Sequence, residues 1–369
     1  MASTAKDVVI RQALLEDFEA VLSIGEMYGG RDYLKTLYLP LLENKDTYAV
    51  VATIQDVVVG FSMTTTFDGG LTVMRRASRV HEKFRGLGIF HMMKEELEKY
   101  TREFRPQVKY ETLANTNKVD HLADRFLQSG FQSIYRRGIM PVMVRPPYPL
   151  CSTESSATEP AQVVDVKQLT HQDLSLLFQS EERSPRVFPR RRLFNFFLGY
   201  RLMDANIQNI LCDGGGGFYS LRRRSDISTE HSQVNGAAQT HNNSEKSSNQ
   251  FSTHSPIQQD INKGLDPESV NHVAMVTFFF CYRTLTGIVC YVDVYSEPHV
   301  SSDHLREHLR HNLLNLQRLF PGQDGRLTLA FDLHISKDLI ITSLDGFGVR
   351  DVLLGQEQFQ VLYERIRES

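Results

Sequence analysis

Along residues 8–144 the spacing of apolar positions switches between two and about three and a half, and each switch predicts an element. "VVIRQA" (8–13) reads as a short strand. "LLEDFEAVLSIGEMY" (14–28) sets Leu14, Phe18, Val21 and Leu22 at helical spacing. "GGRDYLKTLYLPLLEN" (29–44) breaks at two glycines and resumes as helix, with Asp32 as its candidate N-cap. "TYAVVATI" and "VVVGFSMTTTF" are β-branched runs meeting at Gln55-Asp56, which predicts a hairpin. "GGLTVMRRASRV" predicts a third strand. A helix follows with Ile89, Met93, Leu97 and Tyr100 on one face. "VKYETLA" (108–114) is a further strand, 118–128 a helix stopped by Gly130, and 131–144 a last strand.

Beyond "RPPYP" the pattern lapses over a Ser/Thr/Pro-containing linker, 146–161, and then restarts. A strand is expected near 163–166, a helix near 171–180, and a helical or mixed segment over 190–203. The run "GGGG" (214–217) reads as a flexible turn. Residues 225–270 are rich in Ser, Asn, Gln, Thr and His, too polar to offset the entropy of ordering, and are expected to be a disordered insertion. "HVAMVTFFFCYRTLTGIVCYVDVYS" (272–296) predicts a hairpin, 303–320 an amphipathic helix and 326–335 a strand. Strand pair, helix, strand repeats the order of 47–114. The second copy has no glycine loop between strand and helix.

Composition narrows the function classes. The 369 residues suit two domains, 7–145 and 162–369, and carry 41% hydrophobic and 23% charged residues with net charge −3. No global basic field argues for nucleic acid, and no apolar run is long enough to span a bilayer. The first residues lack a secretory pattern, and four cysteines without metal-like spacing read as reduced thiols. A cytoplasmic protein is expected.

"RVHEKFRGLGIF" (79–90) carries the chemistry. Arg-Gly-Leu-Gly between a strand and a helix gathers unpaired N–H groups and the positive end of the helix dipole, where glycines let an anion approach the main chain. A P-loop is excluded because no Gly-Lys-Ser/Thr follows, and a dinucleotide-binding turn is disfavoured by the preceding meander. The segment resembles the acetyl-CoA pyrophosphate motif of the GNAT acyltransferase superfamily, with Arg85 and Gly88 matching. "NTNKVDHLADRFLQSGF" (115–131) resembles the later segment that flanks the CoA arm. "MYGGRDYLKTLYLPLLEN" with "RVHEKFRGLG" is similar, more narrowly, to the vertebrate histidine N-acetyltransferase group. The resemblance implies a GNAT fold of α+β type, with a central mixed and mostly antiparallel sheet, followed by a second, degenerate GNAT-like half. It also implies acetyl-CoA as co-substrate, no metal, and a small amine as acceptor. By position, Ser78, Arg79 and Val80 would pair with the pantetheine, and Arg85, Gly86, Leu87, Gly88, Ile89 and Phe90 would hold the pyrophosphate. Asn117 would lie near the thiol end.

Three departures from the family pattern bear on turnover. Phe90 replaces a small residue, the strand before the loop has no glutamate, and Phe126 stands where many relatives carry a tyrosine acid. Glu111 and Glu82 are the nearest carboxylates for a general base, or else surface ion-pair partners. Arg75, Arg76 and Arg79 are candidates to clamp an acceptor carboxylate, or else form a solvated strand face. Tyr28 and Tyr33, with Tyr110 as a weaker case, are candidate walls of the acceptor pocket or core residues. His304, His308 and His311 share helical spacing without a completing ligand, and "PRVFPRRRLF" (185–194) is a basic, aromatic stretch. Two functions remain open: an N-acetyltransferase of small amino acids, or an acyl-CoA-binding scaffold that has lost turnover.

Overall fold

A computed structural model of the chain describes residues 7–25, 30–116, 122–145, 164–212, 214–222, 264–347, 349–352 and 358–367. The first half contains β1 (Val8–Gln12), α1 (Phe18–Ser23), α2 (Leu34–Glu43), β2 (Thr47–Ile54), β3 (Val57–Phe67) and β4 (Thr72–Val80). It continues through α3 (Ile89–Phe104), β5 (Tyr110–Thr116), α4 (Ala123–Gln128) and β6 (Gln132–Val144). This is the order the resemblance implied. The expected hairpin turns at Gln55 and Asp56, both at positive φ, and Asp32 Oδ1 accepts from Leu34 N–H at the start of α2. Among the described residues of the expected helix over 14–28, six are α-helical, because a 3-10 turn at Leu15–Asp17 uses the chain before them.

The second half begins with β7 (Val166–Gln168) and α5 (His171–Gln179), then a hairpin of β8 (Arg192–Asn195) and β9 (Leu198–Arg201). It proceeds through β10 (Gly215–Leu221), β11 (Val273–Thr284), β12 (Gly287–Ser296), α6 (Ser302–Leu319) and β13 (Gly325–Phe331). The last elements are α7 (Lys337–Leu344), β14 (Val349–Val352) and β15 (Gln358–Ile366). β12 and β13 are parallel across α6, as β4 and β5 are parallel across α3. The strand, helix and parallel-strand order of the first half is therefore repeated in the second.

The sheet crosses the expected domain boundary. Among the described residues one 13-stranded sheet runs β1-β2-β3-β4-β5-β15-β6-β13-β12-β11-β10-β7, with β14 also on β6. The C-terminal strand β15 lies between β5 and β6 of the first half, antiparallel to both, while β6 also pairs with β13 of the second. Without β15 the facing edges of β5 and β6 would both be unpaired. The sheet is thus continuous across the expected boundary between 7–145 and 162–369; 146–163 lie outside the described residues.

Three further expectations change. The GGGG run is the start of β10 rather than a turn, because Cβ atoms on Gly216 and Gly217 would fall within 2.7–3.0 Å of Phe279, Leu169, Phe278 and the Thr277 carbonyl. Only bare backbone fits against that phenylalanine-rich strand. Residues 190–203, read as helical or mixed, hold the β8–β9 hairpin. Residues 264–270, assigned by composition to the insertion, are folded. Leu265 and Val270 are buried in the core, and Leu265 N–H donates to Asp173 at 2.6 Å. The remainder of the insertion lies outside the described residues.

Each half buries apolar side chains on both faces of the sheet. In the first, Val21, Leu34, Tyr38 and Phe61 pack one face and Ile89, Met93 and Leu97 of α3 pack the other. In the second, Leu305, Leu309, Leu313 and Leu316 of α6 cover one face, while α5 and the β8–β9 hairpin cover the other. Burial of each such side chain contributes about 1.5–3 kcal/mol.

Candidate functional site

Two departures from a regular ladder build the site. β4 carries a bulge: Phe61 pairs with Arg79 but Met63 pairs with Arg76, and Ala77 stands at φ 58. Such a bulge bends the strand. β4 and β5 are paired only from Thr72–Met74 to Tyr110–Thr112. Past Met74 the two parallel strands part, and the β4 edge has no strand partner on that side among the described residues.

The glycine loop closes the open end of this cleft. Gly86 (φ 85) and Gly88 (φ 76) are both left-handed, and Gly88 is the N-cap of α3. A Cβ at either position would meet open space, so conformation and not crowding calls for glycine. The first helical bonds go from His91 and Met92 to the Gly88 carbonyl. No protein acceptor among the described residues takes the N–H groups of Gly86 through Phe90. Beside them is a cavity of about 550 Å³ lined by Ser78, Arg79, Val80, Arg85, Gly86, Gly88, Ile89 and Phe90, with Ile24, Gly25, Phe84 and His91. Consecutive free donors at a helix start suit a phosphate or pyrophosphate.

Within the cavity the predicted residues divide by role. Ser78 Oγ bonds Ser62 Oγ at 2.7 Å, and the exposed Arg85 donates to the Val80 carbonyl at 3.3 Å. Ile89 is buried and Leu87 half-buried against the α3 core. Phe90 is 42% exposed and lines the cavity, so it is not turned into the core. Arg75 lies 5.6 Å from its ring. Arg79 is deeply buried and ion-paired with Asp32, so its guanidinium answers the protein and leaves only its main chain to the cleft.

The two carboxylates read as possible bases are placed otherwise. Glu111 is buried and accepts from Arg365 of β15 at 2.5 and 3.0 Å, with Arg75 at 3.7 Å. Those contacts make it the anchor of a cross-strand ion pair in which both Arg365 bonds fall on Oε2 while Oε1 faces Arg75. Glu82 is exposed in a 3-10 turn and does not line the cavity. Phe126 packs on Phe131 and Tyr363. Tyr110 lies under Arg201, 3.8 Å from its ring, away from the cleft. Tyr28 and Asn117 lie outside the described residues.

The arginine cluster splits across the strand. Arg75 faces α3, where Glu98 and Glu111 attend it; burial lowers its pKa and those carboxylates oppose the shift. Arg76 points the other way, 5.2 Å from the ring centroids of both Tyr33 and Phe196. Among the described residues it has these aromatic faces and no carboxylate partner. Phe196, Tyr282 and Tyr291 come from the second half, and no pattern in the first half could have signalled them. Their trace in the sequence is the aromatic density of "LFNFFLGY", "TFFFCYR" and "CYVDVY".

The histidines of α6 diverge. His304 and His308 are buried and both bond Ser220 Oγ, at 2.8 and 3.0 Å. Burial pushes His308 well below the usual imidazole range, as a neutral core residue requires. His311 packs beside Phe218. Among the described residues no three His, Cys, Asp or Glu side chains are grouped for a metal. In the basic stretch 185–194, Arg192 is buried against Glu364 of β15, while Arg190 and Arg191 are exposed. Among the described residues Cys281 Sγ donates to Cys290 Sγ at 2.7 Å, and no described helix is long and apolar enough to cross a membrane.

Known proteins offer partial likenesses. No family model matches the chain. It is 30% identical over 105 residues to a histidine N-acetyltransferase of Xenopus tropicalis, covering 28% of this chain and 32% of that protein. It is 30% identical over 125 residues to probable N-acetyltransferase 16 of Homo sapiens, covering 34% of this chain and 33% of the relative. The histidine N-acetyltransferase of Scomber australasicus is 23% identical over 212 residues, or 53% and 60% of the two chains. The matches thus span about a third of the first two relatives. Among solved structures, a GCN5-related N-acetyltransferase from Sphaerobacter thermophilus aligns over 99% of this chain and 97% of its own, with TM-score 0.49 and 10% identity. A putative acetyltransferase from Pyrococcus horikoshii aligns over 98% and 90%, with TM-score 0.45 and 12% identity. With the order of elements and the splayed β4–β5 pair, the chain resembles the GNAT N-acetyltransferases, and over part of its length the histidine N-acetyltransferases.

Proposed function

We propose that the chain transfers an acetyl group from acetyl-CoA to the α-amine of a small amino acid. The observation that carries this reading is the run of unpartnered N–H groups from Gly86 to Phe90 beside the cavity at the end of β4. These donors and Arg85 would hold the pyrophosphate, and the unpaired edge of β4 would take the pantetheine as an added strand. Acetyl-CoA supplies the activated acyl group when bound. The chain's own residues supply position: Gly88 starts the helix that faces the phosphates, and the bulge at Ala77 turns β4 main-chain groups toward the cleft. Proximity of this kind accounts for much of the acceleration in two-substrate transfers. An α-amine of pKa ~8 is about a tenth neutral near pH 7, so a strong base is not essential. A positioned base would add about 10²- to 10⁴-fold.

Histidine is the first acceptor to test, because two of the relatives carry that name. Cysteines outside any disulfide among the described residues support a cytoplasmic setting. Thiol release from acetyl-CoA, followed with each of the free amino acids in turn, tests the reading. Acetylation of at least one α-amine is expected. Acetyl-CoA binding without release for any amine would favour the second reading, a binding scaffold, which the committed Glu111 and the packed Phe126 support. Absence of acetyl-CoA binding would end both.

A further inference from the structure

The β8–β9 hairpin of the second half ends in an unusual turn. Its two central residues, Phe196 (φ 48) and Phe197 (φ 65), are both left-handed. Two-residue hairpins with positive φ at both positions favour Asn-Gly or Gly-Gly, and a bulky residue there is strained. The strain persists only where the surroundings over-determine it, and such places cluster at functional sites. Here the surroundings are explicit. Tyr295 Oη accepts from Phe194 N–H at 2.6 Å and donates to the Phe194 carbonyl at 3.1 Å. The Asp293 carboxylate accepts from the Phe196 main chain. Both side chains belong to a buried group around Arg137, whose Nη1 lies 2.6 Å from Asp293 and 2.9 Å from Tyr295 Oη. A charged, buried network therefore holds the turn in place.

The turn is aimed at the β4 bulge. The Phe196 ring packs at 5.3 Å on Tyr33, 4.5 Å on Phe280, 5.4 Å on Tyr282 and 5.9 Å on Tyr291. Phe197 packs at 5.2 Å on Tyr291 and is only half-buried. Arg76, next to the bulged Ala77, lies between Tyr33 and Phe196 without a carboxylate partner among the described residues. Arg326, half-buried, is close enough to Tyr291 and Tyr282 to interact with both. A half-buried guanidinium among aromatic rings attracts a carboxylate, and aromatic walls exclude the water that would weaken the pair.

We infer that the junction of the two halves is the acceptor subsite: Arg76 binds the acceptor's carboxylate, and the Phe196-Phe197 turn sets which side chains fit beside it. This rests on the proposed amino-acid acceptor and adds that the second half, otherwise without a CoA loop, supplies the selecting wall. The acceptor class is then amines bearing an α-carboxylate, and esters or amides of the same compounds are poor ligands.

The test measures binding, so that it stands apart from turnover. Free amino acids and their amides are titrated calorimetrically into the CoA-saturated protein, its Arg76→Ala and Arg76→Lys variants, and Phe197→Gly. For the best-bound acid, Arg76→Ala is expected to weaken affinity by about 10- to 100-fold, the range for a charge-assisted hydrogen bond. Its amide should change little, and CoA affinity should hold in every variant. Arg76→Lys should recover part of the loss but not all. Phe197→Gly should keep or raise the melting temperature, since strain is relieved, while changing the rank order of amino acids. Equal loss for acid and amide, an unchanged rank order in Phe197→Gly, or no amino acid bound by wild type would overturn the inference. Selective binding without acetylation would leave it standing and sink only the transferase reading.

Discussion

Between β4 and β5 the parallel pairing lasts three residue pairs, and between β12 and β13 it lasts seven. The two halves share strand, helix and parallel strand, yet only one opens a cleft. In the first, a bulge with Ala77 in the left-handed region bends β4 away, and α3 starts at a left-handed glycine with free N–H groups beside it. In the second, β12 pairs with β11 without a register shift, and α6 starts at Ser301 with ordinary extended backbone (φ −75). Fold and site are therefore separable. The meander and crossover set the frame, whereas a bulge and a glycine turn decide whether it opens beside free N–H groups. The half without the cleft contributes β15, the Arg137 network and the hairpin against Arg76.

The comparison can be broken most sharply at that network. Arg137 is fully buried on β6 between Asp293 and Asp332 of the second half. Arg137→Met should leave two buried carboxylates without their cation and cost about 3–5 kcal/mol in urea unfolding. A loss under about 1 kcal/mol would mean that the network does not weld the halves. The next effect contrasts the helix starts. Gly88→Glu should lower acetyl-CoA affinity by about 100-fold or more, since like charges meet in a desolvated site. Ser301→Glu, at the corresponding place in the second half, should not change it. Equal effects in titration calorimetry would show that the two helix starts are not distinguished by the loop.

A smaller effect is expected where β15 ties into the first half. Arg365→Met removes the two hydrogen bonds to Glu111 and should cost about 1–3 kcal/mol. In a cycle with Glu111→Gln the two losses should not add, and additivity would show that the pair is not coupled. The smallest effect is a pH dependence. Burial raises Asp293 to about 6, against the attraction of Arg137. The folded state then binds the proton more tightly than the unfolded one. The penalty for burying the charge is present above about pH 6 and is relieved as pH falls toward the ordinary carboxylate range. The melting temperature of wild type relative to Asp293→Asn should therefore rise on going from pH 7 to pH 5. A difference that is flat, or of opposite sign, would contradict the raised value.

Local chemistry was legible from the order of residues. The β-branched runs gave β2 and β3, the spacing of Ile89, Met93 and Leu97 gave the buried face of α3, and Gly86 and Gly88 marked the left-handed turn before it. Each of these is dictated within a few residues by backbone sterics, side-chain periodicity or the lack of a Cβ. Partners distant along the chain were not legible. The sequence alone treats Arg75, Arg76 and Arg79 as three like charges on one strand. The fold gives Arg75 to Glu98 and Glu111, Arg79 to Asp32, and Arg76 to an aromatic cluster drawn largely from the other half.

The same limit explains the strands. Glycines 214–217 look like a turn until the phenylalanines of β11 are laid against them, and Glu111 looks like a free base until Arg365, 254 residues away, is paired to it. The insertion of β15 between β5 and β6 has no local signal, because a strand's pairing choice is made by whichever edge is left open when the chain collapses. The sequence by itself determined the elements and the glycine turn, since both follow from short-range sterics. Only the tertiary structure decided which charges are free to meet a ligand, since that depends on what long-range packing has already neutralised.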